Sequence, residues 1–268
     1  MIITSNTNEQ IKNLIHLKDK SKARKTSGTF IVEGIKMFQE IPKEDFIKAY
    51  ASENFYEKRK EEISDYFRKN NLKEDVQLVS DSVFKKISDT VTPQGILAVV
   101  RQKTYSIEDI IKSRNKEKSC IVVLDRIQDP GNLGTIVRTG EAAGITGIIM
   151  SSSTADIYNP KVIRSTMGSI YRVPFVIVAD LPKAVDILRE DGITCFAAHL
   201  KGELYNSGTL TKDCALLIGN EANGVSKEIQ EIADKKVKIP MLGKTESLNA
   251  SVAAGVVMYE YVRQKLSK

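Results

Sequence analysis

Polar side chains with catalytic potential follow three separate apolar runs in the second half of the chain. These runs are short and apolar, and the first is rich in β-branched residues, as is typical of strands buried on both faces of a parallel sheet. Because the carboxyl ends of parallel strands meet at one edge of a sheet, the three loops can converge on one site. Their amide, guanidinium, carboxylate and hydroxyl groups could position a substrate and stabilise charge. The candidate catalytic residues are Asn132, Arg138, Glu221, Ser247 and Asn249.

The first of these loops belongs to a stretch whose pattern predicts a strand, a turn, a helix and a second strand. Ile121–Leu124 is the apolar run, and Pro130 and Gly131 then turn the chain. Apolar and small residues return at helical spacing over Leu133–Ala143, and Gly144 ends the helix. The stretch therefore predicts a βαβ unit, whose first loop is a candidate site.

A dinucleotide-binding fold is the obvious alternative for such a unit. However, Gly131 and Gly134 do not form a G-x-G-x-x-G motif, and no acidic residue follows the second strand, so a nicotinamide cofactor is not expected. Asn132 could simply cap the helix, and Arg138 could be a surface cation. Because Arg138 stands next to Val137 and close to small residues, we expect its stem to be packed and its guanidinium to have an acceptor.

The other two loops follow the apolar runs Ala215–Ile218 and Val237–Pro240. The first run ends in the sequence GNEANG, and the second opens into MLGKTESLN. Glycine, asparagine and serine are also the usual residues of turns, so the pattern leaves open whether the loops form one site. A long helix, Ala250–Lys265, is predicted to close the chain, and one of its sides carries Val252, Val256, Tyr259 and Val262.

Residues 1–101 alternate between predicted strands and helices, which indicates a small α/β domain. Strands are expected at 29–32, 46–51, 76–79 and 95–100, with helices near 35–41, 54–69 and 82–87. Residues 102–118 are lysine-rich and polar, and they predict a linker with a helical turn. A second domain is expected over residues 119–268.

Positive charge is concentrated at the start of the chain. The 268 residues carry a net charge of +6, and residues 1–25 hold six Lys or Arg against two Asp or Glu. This segment is predicted to contain a basic loop that could meet an acidic partner, although a solvated loop would have the same composition. The candidate contacts are Lys20, Lys22, Arg24 and Lys25.

Several classes of protein are not expected from the composition. Cys120, Cys195 and Cys214 are far apart in apolar surroundings, which is typical of buried thiols in a reduced cytosolic protein. His16 and His199 are distant from one another and no metal-ligand spacing is present, so we expect no metal. The chain shows no signal-peptide pattern and no apolar run of 18 residues, so we expect no membrane span.

The three loops resemble the ordered motifs of one family. The sequences DPGNLGTIVRTGEAAG, IGNEANGVS and IPMLGKTESLNASVAAGV look like those of the SpoU-type, or TrmH-like, RNA ribose 2′-O-methyltransferases of the SPOUT superfamily. The resemblance covers residues 119–268. The first domain, with Phe30–Gly34, is similar to the L30e-like RNA substrate-binding module often attached to this family. Small departures occur at Ala222, where glycine is frequent, and at Gly140-Glu141, where small residues are usual.

This resemblance implies a fold, a cofactor and a partner. The fold is a small L30e-like α/β domain followed by a SPOUT α/β domain with a C-terminal trefoil knot, which general rules of chain topology would not predict. The methyl donor is S-adenosylmethionine, the acceptor is a ribose 2′-hydroxyl in RNA, and the protein is a homodimer with its sites near the subunit interface. The implied cofactor-binding residues are Leu200, Gly219, Ile239, Met241 and Leu248.

The resemblance also implies roles for the candidate catalytic residues. A ribose hydroxyl is a poor nucleophile, so its proton must be removed or shared while the oxygen aligns with the methyl group. The family assigns Arg138 as the base, but a guanidinium has a pKa above about 12, so we expect it to hold a phosphate and stabilise the developing alkoxide. Asn132 and Asn249 would position the ribose, Ser247 would relay a hydrogen bond, and Glu221 would orient Arg138 or Asn132.

We therefore expect a cytoplasmic, S-adenosylmethionine-dependent enzyme that methylates RNA, with 23S-type ribosomal RNA as the expected substrate. The alternatives are a tRNA 2′-O-methyltransferase and a non-catalytic RNA-binding protein of ribosome assembly. The five candidate catalytic residues favour an enzyme, because a scaffold has no need of them.

Overall fold

A computed structural model describes residues 2–113, 119–208, 210 and 213–267. The chain divides into two compact units, one formed by Met1–Lys103 with Asp156–Tyr171 and the other by Thr104–Ala155 with Arg172–Lys268. Their helices, in chain order, are α1 (Glu9–Asp19), α2 (Ser21–Ser27), α3 (Ile35–Gln39), α4 (Glu53–Lys69), α5 (Asp81–Ile87), α6 (Ile107–Lys112), α7 (Pro130–Ala142), α8 (Pro160–Thr166), α9 (Leu181–Glu190), α10 (Lys227–Ile232) and α11 (Ala250–Leu266). The strands are β1 (Thr29–Glu33), β2 (Phe46–Ser52), β3 (Val76–Val79), β4 (Ile96–Arg101), β5 (Cys120–Asp125), β6 (Gly147–Ser151), β7 (Phe175–Val178), β8 (Thr194–Leu204), β9 (Cys214–Gly219) and β10 (Lys235–Lys238).

The first unit contains a four-stranded mixed sheet in the order β1-β4-β2-β3. Strand β4 pairs antiparallel with both β1 and β2, and β3 pairs parallel with β2. Phe38, Tyr66 and Phe67 are buried in an aromatic cluster, and the ring centroids of Phe38 and Tyr66 are 4.6 Å apart. The predicted small α/β domain is confirmed.

The first unit also includes a segment that the sequence analysis placed in the second domain. Helix α8 lies in Asp156–Tyr171, and the Tyr158 ring packs on Phe30 of β1 with centroids 4.7 Å apart. The boundary expected at residue 101 therefore omits a segment that joins the first unit much later in the chain. In the predicted linker, α6 belongs to the second unit, and residues 114–118 lie outside the described residues.

The predicted basic loop near the amino terminus is wrong in its secondary structure. Ser21–Ser27 forms α2, which ends at Gly28 in the left-handed conformation with φ 62°. Arg24 on this helix is buried, and its Nη2 lies 2.6 Å from Oδ2 of Asp156. Its Nη1 donates to the carbonyl oxygen of Leu17 at 2.7 Å. The prediction that Arg24 binds RNA is therefore corrected, because its guanidinium is buried against an internal carboxylate.

The second unit contains a six-stranded parallel sheet in the order β10-β8-β9-β5-β6-β7. Strands β5 and β9 lie at its centre and are fully buried, because helices and loops cover the sheet. The predicted βαβ unit is confirmed as β5, α7 and β6. Of the candidate catalytic residues, Asn132 and Arg138 lie on α7, which follows β5, and the others lie in the segments after β9 and β10. The trefoil knot stays a prediction.

Helix α11 closes the chain and packs against α7 and β9 through buried residues that include Ala254, Val257 and Tyr261. The apolar side predicted from the sequence is a different side of the helix from these buried residues. Val252 and Tyr259 are each 50% exposed, so this side of the helix is open in the single chain. Within the part of the chain that the structure describes, no helix has the length and apolar character that crossing a membrane requires.

Candidate active site

The loops after β5 and β9 lie next to one another because their strands are neighbours in the sheet. Asp125 at the end of β5 is in register with Gly219 at the end of β9. Oδ2 of Asp125 accepts a hydrogen bond of 2.7 Å from the backbone N–H of Ser226, which ties the two loops together. The carboxyl edge of the sheet therefore brings the first two motifs together, as the strand pattern predicts.

A continuous chain of hydrogen bonds joins Asn132, in the first turn of α7, with Glu221 and Asn249 after β9 and β10. Nδ2 of Asn132 donates to Oε1 of Glu221 at 2.9 Å. Nδ2 of Asn249 donates to Oδ1 of Asn132, also at 2.9 Å. Asn132 is buried, and its central position links the other two residues. The structure thus brings Asn132, Glu221 and Asn249 together.

The Glu221 carboxylate also holds the backbone of the first loop. Its two oxygens accept hydrogen bonds from the backbone N–H groups of Gln128 and Asp129, each at 3.2 Å. Burial alone would raise the pKa of Glu221, but hydrogen bonds from Asn132, from its own backbone and from these two N–H groups together lower it. Glu221 is therefore ionised at neutral pH and acts as a fixed acceptor.

The two asparagines have different local roles. Asn249 caps α11, since its Oδ1 accepts from the N–H groups of Ser251 at 2.9 Å and Val252 at 3.3 Å. Asn132 is not a helix cap. Asp129 caps α7 and accepts from the N–H of Asn132 at 2.8 Å. The amide of Asn132 is therefore left for the hydrogen-bond chain between loops.

Arg138 and Ser247 lie outside this chain. Arg138 is exposed on α7 and makes no hydrogen bond or ion pair with any described residue. The expectation of a packed stem and a paired guanidinium is wrong, because the buried stripe of α7 runs through Leu133, Ile136, Val137 and Gly140. Ser247 is also exposed, and it lies on the rim of a cavity. Neither side chain makes a hydrogen bond or ion pair with the residues that the structure describes.

That cavity has a volume of about 340 Å³ and lies between the second half of β8 and the loops after β9 and β10. Its size is in the range of small-molecule sites. Gly219 allows its floor to form, since a Cβ there would lie 1.9 Å from the backbone carbon of Gly224. The residues predicted to bind the cofactor all line it, namely Leu200, Gly219, Ile239, Met241 and Leu248.

The cavity wall suits an adenosyl group that carries a positive sulfonium. Apolar side chains and backbone form most of it, and Glu221 and Glu246 supply carboxylates. His199 also lines the cavity, and burial together with Lys236 and Lys201 lowers its pKa, so its imidazole is neutral at neutral pH. No group of three or more potential metal ligands occurs among the described residues.

Three further polar residues lie at this edge of the sheet, and the sequence motifs did not single them out. Asp125 is buried, and Arg126 directly after it has a positive φ of 60°. Asn220 lines the cavity and donates from Nδ2 to the carbonyl oxygen of Arg126 at 2.9 Å. Their places in the sequence could have indicated them. Asp125 is the last residue of β5, Arg126 follows it, and Asn220 comes directly after β9.

These features define a class: an α/β enzyme with a cofactor cavity and a polar hydrogen-bond chain at the carboxyl edge of a parallel sheet. Residues 119–259 match the SpoU rRNA Methylase family, and residues 8–98 match the MRM3-like substrate binding domain. The chain therefore belongs to the SpoU rRNA methylase family. It is an S-adenosylmethionine-dependent RNA ribose 2′-O-methyltransferase. The resemblance seen in the three motifs is confirmed.

Similar proteins match over nearly the whole chain. A Bacillus subtilis protein named 23S rRNA (guanosine(2553)-2′-O)-methyltransferase RlmP is 32% identical over 261 residues, which cover 96% of this chain and 97% of the relative. A crystal structure of an AdoMet-bound rRNA methyltransferase from Sinorhizobium meliloti has a TM-score of 0.85 and 30% identity over 98% of this chain and 97% of that one. The SpoU methyltransferase AviRb from Streptomyces viridochromogenes, with the cofactor AdoMet, has a TM-score of 0.82 and 26% identity over 97% of this chain and 100% of that one.

Proposed function

We propose that this enzyme methylates the ribose 2′-hydroxyl of a nucleotide in 23S-type ribosomal RNA, in the cytoplasm. The B. subtilis relative with this kind of substrate in its name matches both units of the chain. The observation that carries the proposed site is the hydrogen-bond chain of Asn249, Asn132 and Glu221, which stands beside the cavity through Glu221. It supports an enzyme that positions a hydroxyl group next to its cofactor.

The first task of the site is to position the ribose. S-adenosylmethionine supplies an electrophilic methyl group when it is bound. Asn132 and Asn249 each keep one amide N–H outside the bonds described above, and both amides are held in place. We assign these N–H groups to the ribose oxygens. Fixed donors lower the barrier because their orientation needs no rearrangement during the reaction.

The second task is to stabilise the charge that develops on the 2′-oxygen. Arg138 is exposed and unpaired among the described residues, so its guanidinium is free to meet a phosphate of the substrate. A guanidinium does not readily release a proton, so we assign Arg138 to the phosphate and to the developing alkoxide. Ser247, exposed on the rim of the cavity, is assigned to the relay of the hydroxyl proton to solvent water while the methyl group passes from sulfur to the 2′-oxygen.

A second copy of the chain is part of this proposal. Val252, Tyr259 and Leu266 on α11 are half or more exposed, although a soluble monomer gains nothing from an apolar helix face in water. We propose that a homodimer covers this face. In such a dimer Arg138, on the neighbouring α7, would lie near the subunit interface.

The first unit is proposed to bind RNA through part of its basic segment. Lys20, Lys22 and Lys25 are exposed on or beside α2, so their charges can reach phosphates. Arg24 is excluded from this set by its burial. Phosphate contacts of this kind hold the RNA without specifying its sequence.

The experiment that tests the substrate compares ribose methylation across all RNA of a strain that lacks this gene with that of its parent. A single lost mark in 23S-type rRNA, restored on the isolated RNA by the purified protein and S-adenosylmethionine, is expected. A lost mark in tRNA, with ribosomal RNA unchanged, would replace this proposal with the tRNA alternative.

A further inference from the structure

One arginine at the edge of the site has an unfavourable backbone conformation. Arg126 follows β5 and has φ 60°. This value lies in the left-handed region, which residues other than glycine and asparagine rarely adopt. Backbone strain of this kind persists where the surrounding structure imposes it, and it is concentrated at functional sites. The presence of an arginine at a strained position therefore points to a role for its side chain.

The strained backbone is held from both sides, and neither bond uses the arginine side chain. The N–H of Arg126 donates to Oγ of Ser151 at 3.0 Å, and its carbonyl oxygen accepts from Nδ2 of Asn220 at 2.9 Å. Ser151 ends β6, and Asn220 follows β9. Glycine could make both bonds without strain, so the loop does not require arginine.

The guanidinium itself is only partly engaged. Its Nε donates to Oδ1 of Asp125 at 3.0 Å, while Nη1 and Nη2 bind no residue that the structure describes. The side chain is 42% exposed. The bond to Asp125 orients the planar group, and the two outer nitrogens present the fork that binds phosphate oxygens.

We propose that Arg126 binds a backbone phosphate of the RNA close to the target ribose. This inference rests on the proposed function and extends it with a site for the substrate. Arg126 opens the loop that leads to Gln128 and Asp129, whose N–H groups bind Glu221. Its carbonyl oxygen is held by Asn220, which lines the cofactor cavity. A phosphate on Arg126 would fix the RNA backbone beside the hydrogen-bond chain.

The test uses Arg126→Gly, which removes the guanidinium and relieves the strain. Lys183→Gln is the matched control, because it removes one exposed positive charge on α9 of the same unit. Binding of a 23S-type rRNA transcript is measured across a series of salt concentrations, together with S-adenosylmethionine affinity and the thermal midpoint.

For Arg126→Gly, RNA affinity is expected to fall about tenfold, which matches the loss of one charged hydrogen-bonded contact. The slope of log affinity against log salt should fall by about one, as expected for one lost phosphate contact. The thermal midpoint should stay close to that of the wild type, because relief of the backbone strain offsets the lost bond to Asp125, which keeps its bond to Ser226. Cofactor affinity should not change. Arg126→Lys should restore the salt slope but not the full affinity, because lysine lacks the fork. Lys183→Gln should leave all these quantities unchanged.

Two results would overturn the inference. In the first, Arg126→Gly binds RNA with the affinity and salt slope of the wild type. In the second, it loses thermal stability and cofactor affinity along with RNA binding, which would make Arg126 a structural partner of Asp125. If the wild-type protein itself does not bind the transcript, it is the proposed substrate that fails.

Discussion

At the scale of single residues, the site depends on amides and a carboxylate that hold one another. Asn249 has two tasks, because its Oδ1 caps α11 and its Nδ2 binds Asn132. Substitutions can separate these tasks. The change in turnover then measures the contribution of the bond to Asn132, and the change in the free energy of unfolding measures the contribution of the helix cap.

Asn249→Ala should lose both tasks, and Asn249→Ser should lose only the bond to Asn132. We expect both variants to lose roughly 10²-fold in methyl transfer, the scale of a positioned polar group. Asn249→Ala should also be less stable by about 1 kcal/mol, since alanine cannot cap a helix, whereas serine can. Single-turnover kinetics and urea unfolding measure the two effects. Wild-type turnover in Asn249→Ser would remove the bond to Asn132 from the account.

Arg138→Ala is expected to separate activity from stability more completely. Because Arg138 is exposed and unpaired among the described residues, its removal should change the free energy of unfolding by less than about 0.5 kcal/mol. Methyl transfer should fall roughly 10²-fold or more, with the affinity for S-adenosylmethionine unchanged. If turnover is unchanged when RNA is saturating, Arg138 has no role in the reaction.

Glu221 gives the site a dependence on pH. Its folded-state pKa is lowered from the ordinary value of 4.5, so its contribution to stability is present above that pH and is lost as the pH falls through the folded pKa. Glu221→Gln places an amide N–H where the carboxylate accepts backbone N–H groups. The variant should be less stable than the wild type at neutral pH, and the difference should shrink below about pH 4.5. Thermal midpoints across pH 3–7 test this, and a constant difference would contradict it.

Two residues that sequence reasoning placed wrongly, Arg138 and Arg24, have different causes. Arg138 was expected to pack because its neighbours in sequence are apolar or small. On α7, however, burial follows the spacing of Leu133, Ile136 and Val137, and Arg138 is rotated away from that stripe. Arg24 was expected to be exposed but is buried, since its partner Asp156 lies 132 residues away in sequence. No local pattern reveals such a partner.

At the scale of elements, periodicity predicted most strands and helices well. The β5, α7 and β6 unit and the buried central strands carry apolar runs that have one clear structural interpretation. The polar end of β8, from His199 to Leu204, was missed because its side chains are largely exposed and do not show a strand pattern. Helix α2 was missed because its sequence, SKARKTS, has no apolar stripe.

Helix α2 is expected to contribute to stability through its buried Arg24 and to RNA binding through its exposed lysines. Arg24→Ala should destabilise the protein by about 3 kcal/mol or more, because it leaves the Asp156 carboxylate without its partner. Replacing Lys20, Lys22 and Lys25 together by alanine should leave stability nearly unchanged but flatten the salt dependence of RNA binding. Urea unfolding and binding titrations measure the two effects. Equal salt slopes for the wild type and the triple variant would show that the basic surface of α2 is not an RNA contact.

At the scale of the whole molecule, the sequence motifs identified the family and the cofactor, and both are confirmed. The knot came only from the resemblance, because it depends on how distant segments meet. The dimer was expected both from the resemblance and from the apolar side of the last helix. The exposed apolar side of α11 is a physical argument for the dimer that the structure adds.

A double substitution on that helix tests the dimer. Val252→Asp with Tyr259→Asp should yield a monomer at micromolar concentration, because two buried charges would oppose association. Ile177→Asp is the control, since Ile177 on β7 is also about half exposed, at 48%, but lies on another element. Sedimentation velocity should find a dimer for the wild type and the control. A fully active wild-type monomer would contradict the proposed assembly.

The most direct test of the account is the chemical identity of the product on ribosomal RNA. Purified protein is incubated with S-adenosylmethionine and 23S-type rRNA from a strain that lacks the gene, and the RNA is digested to nucleosides for mass spectrometry. A new 2′-O-methylnucleoside is expected at one position per molecule, present with the wild type and strongly reduced with Arg138→Ala. A methyl group on a base, or none on this RNA while tRNA becomes methylated, would contradict it.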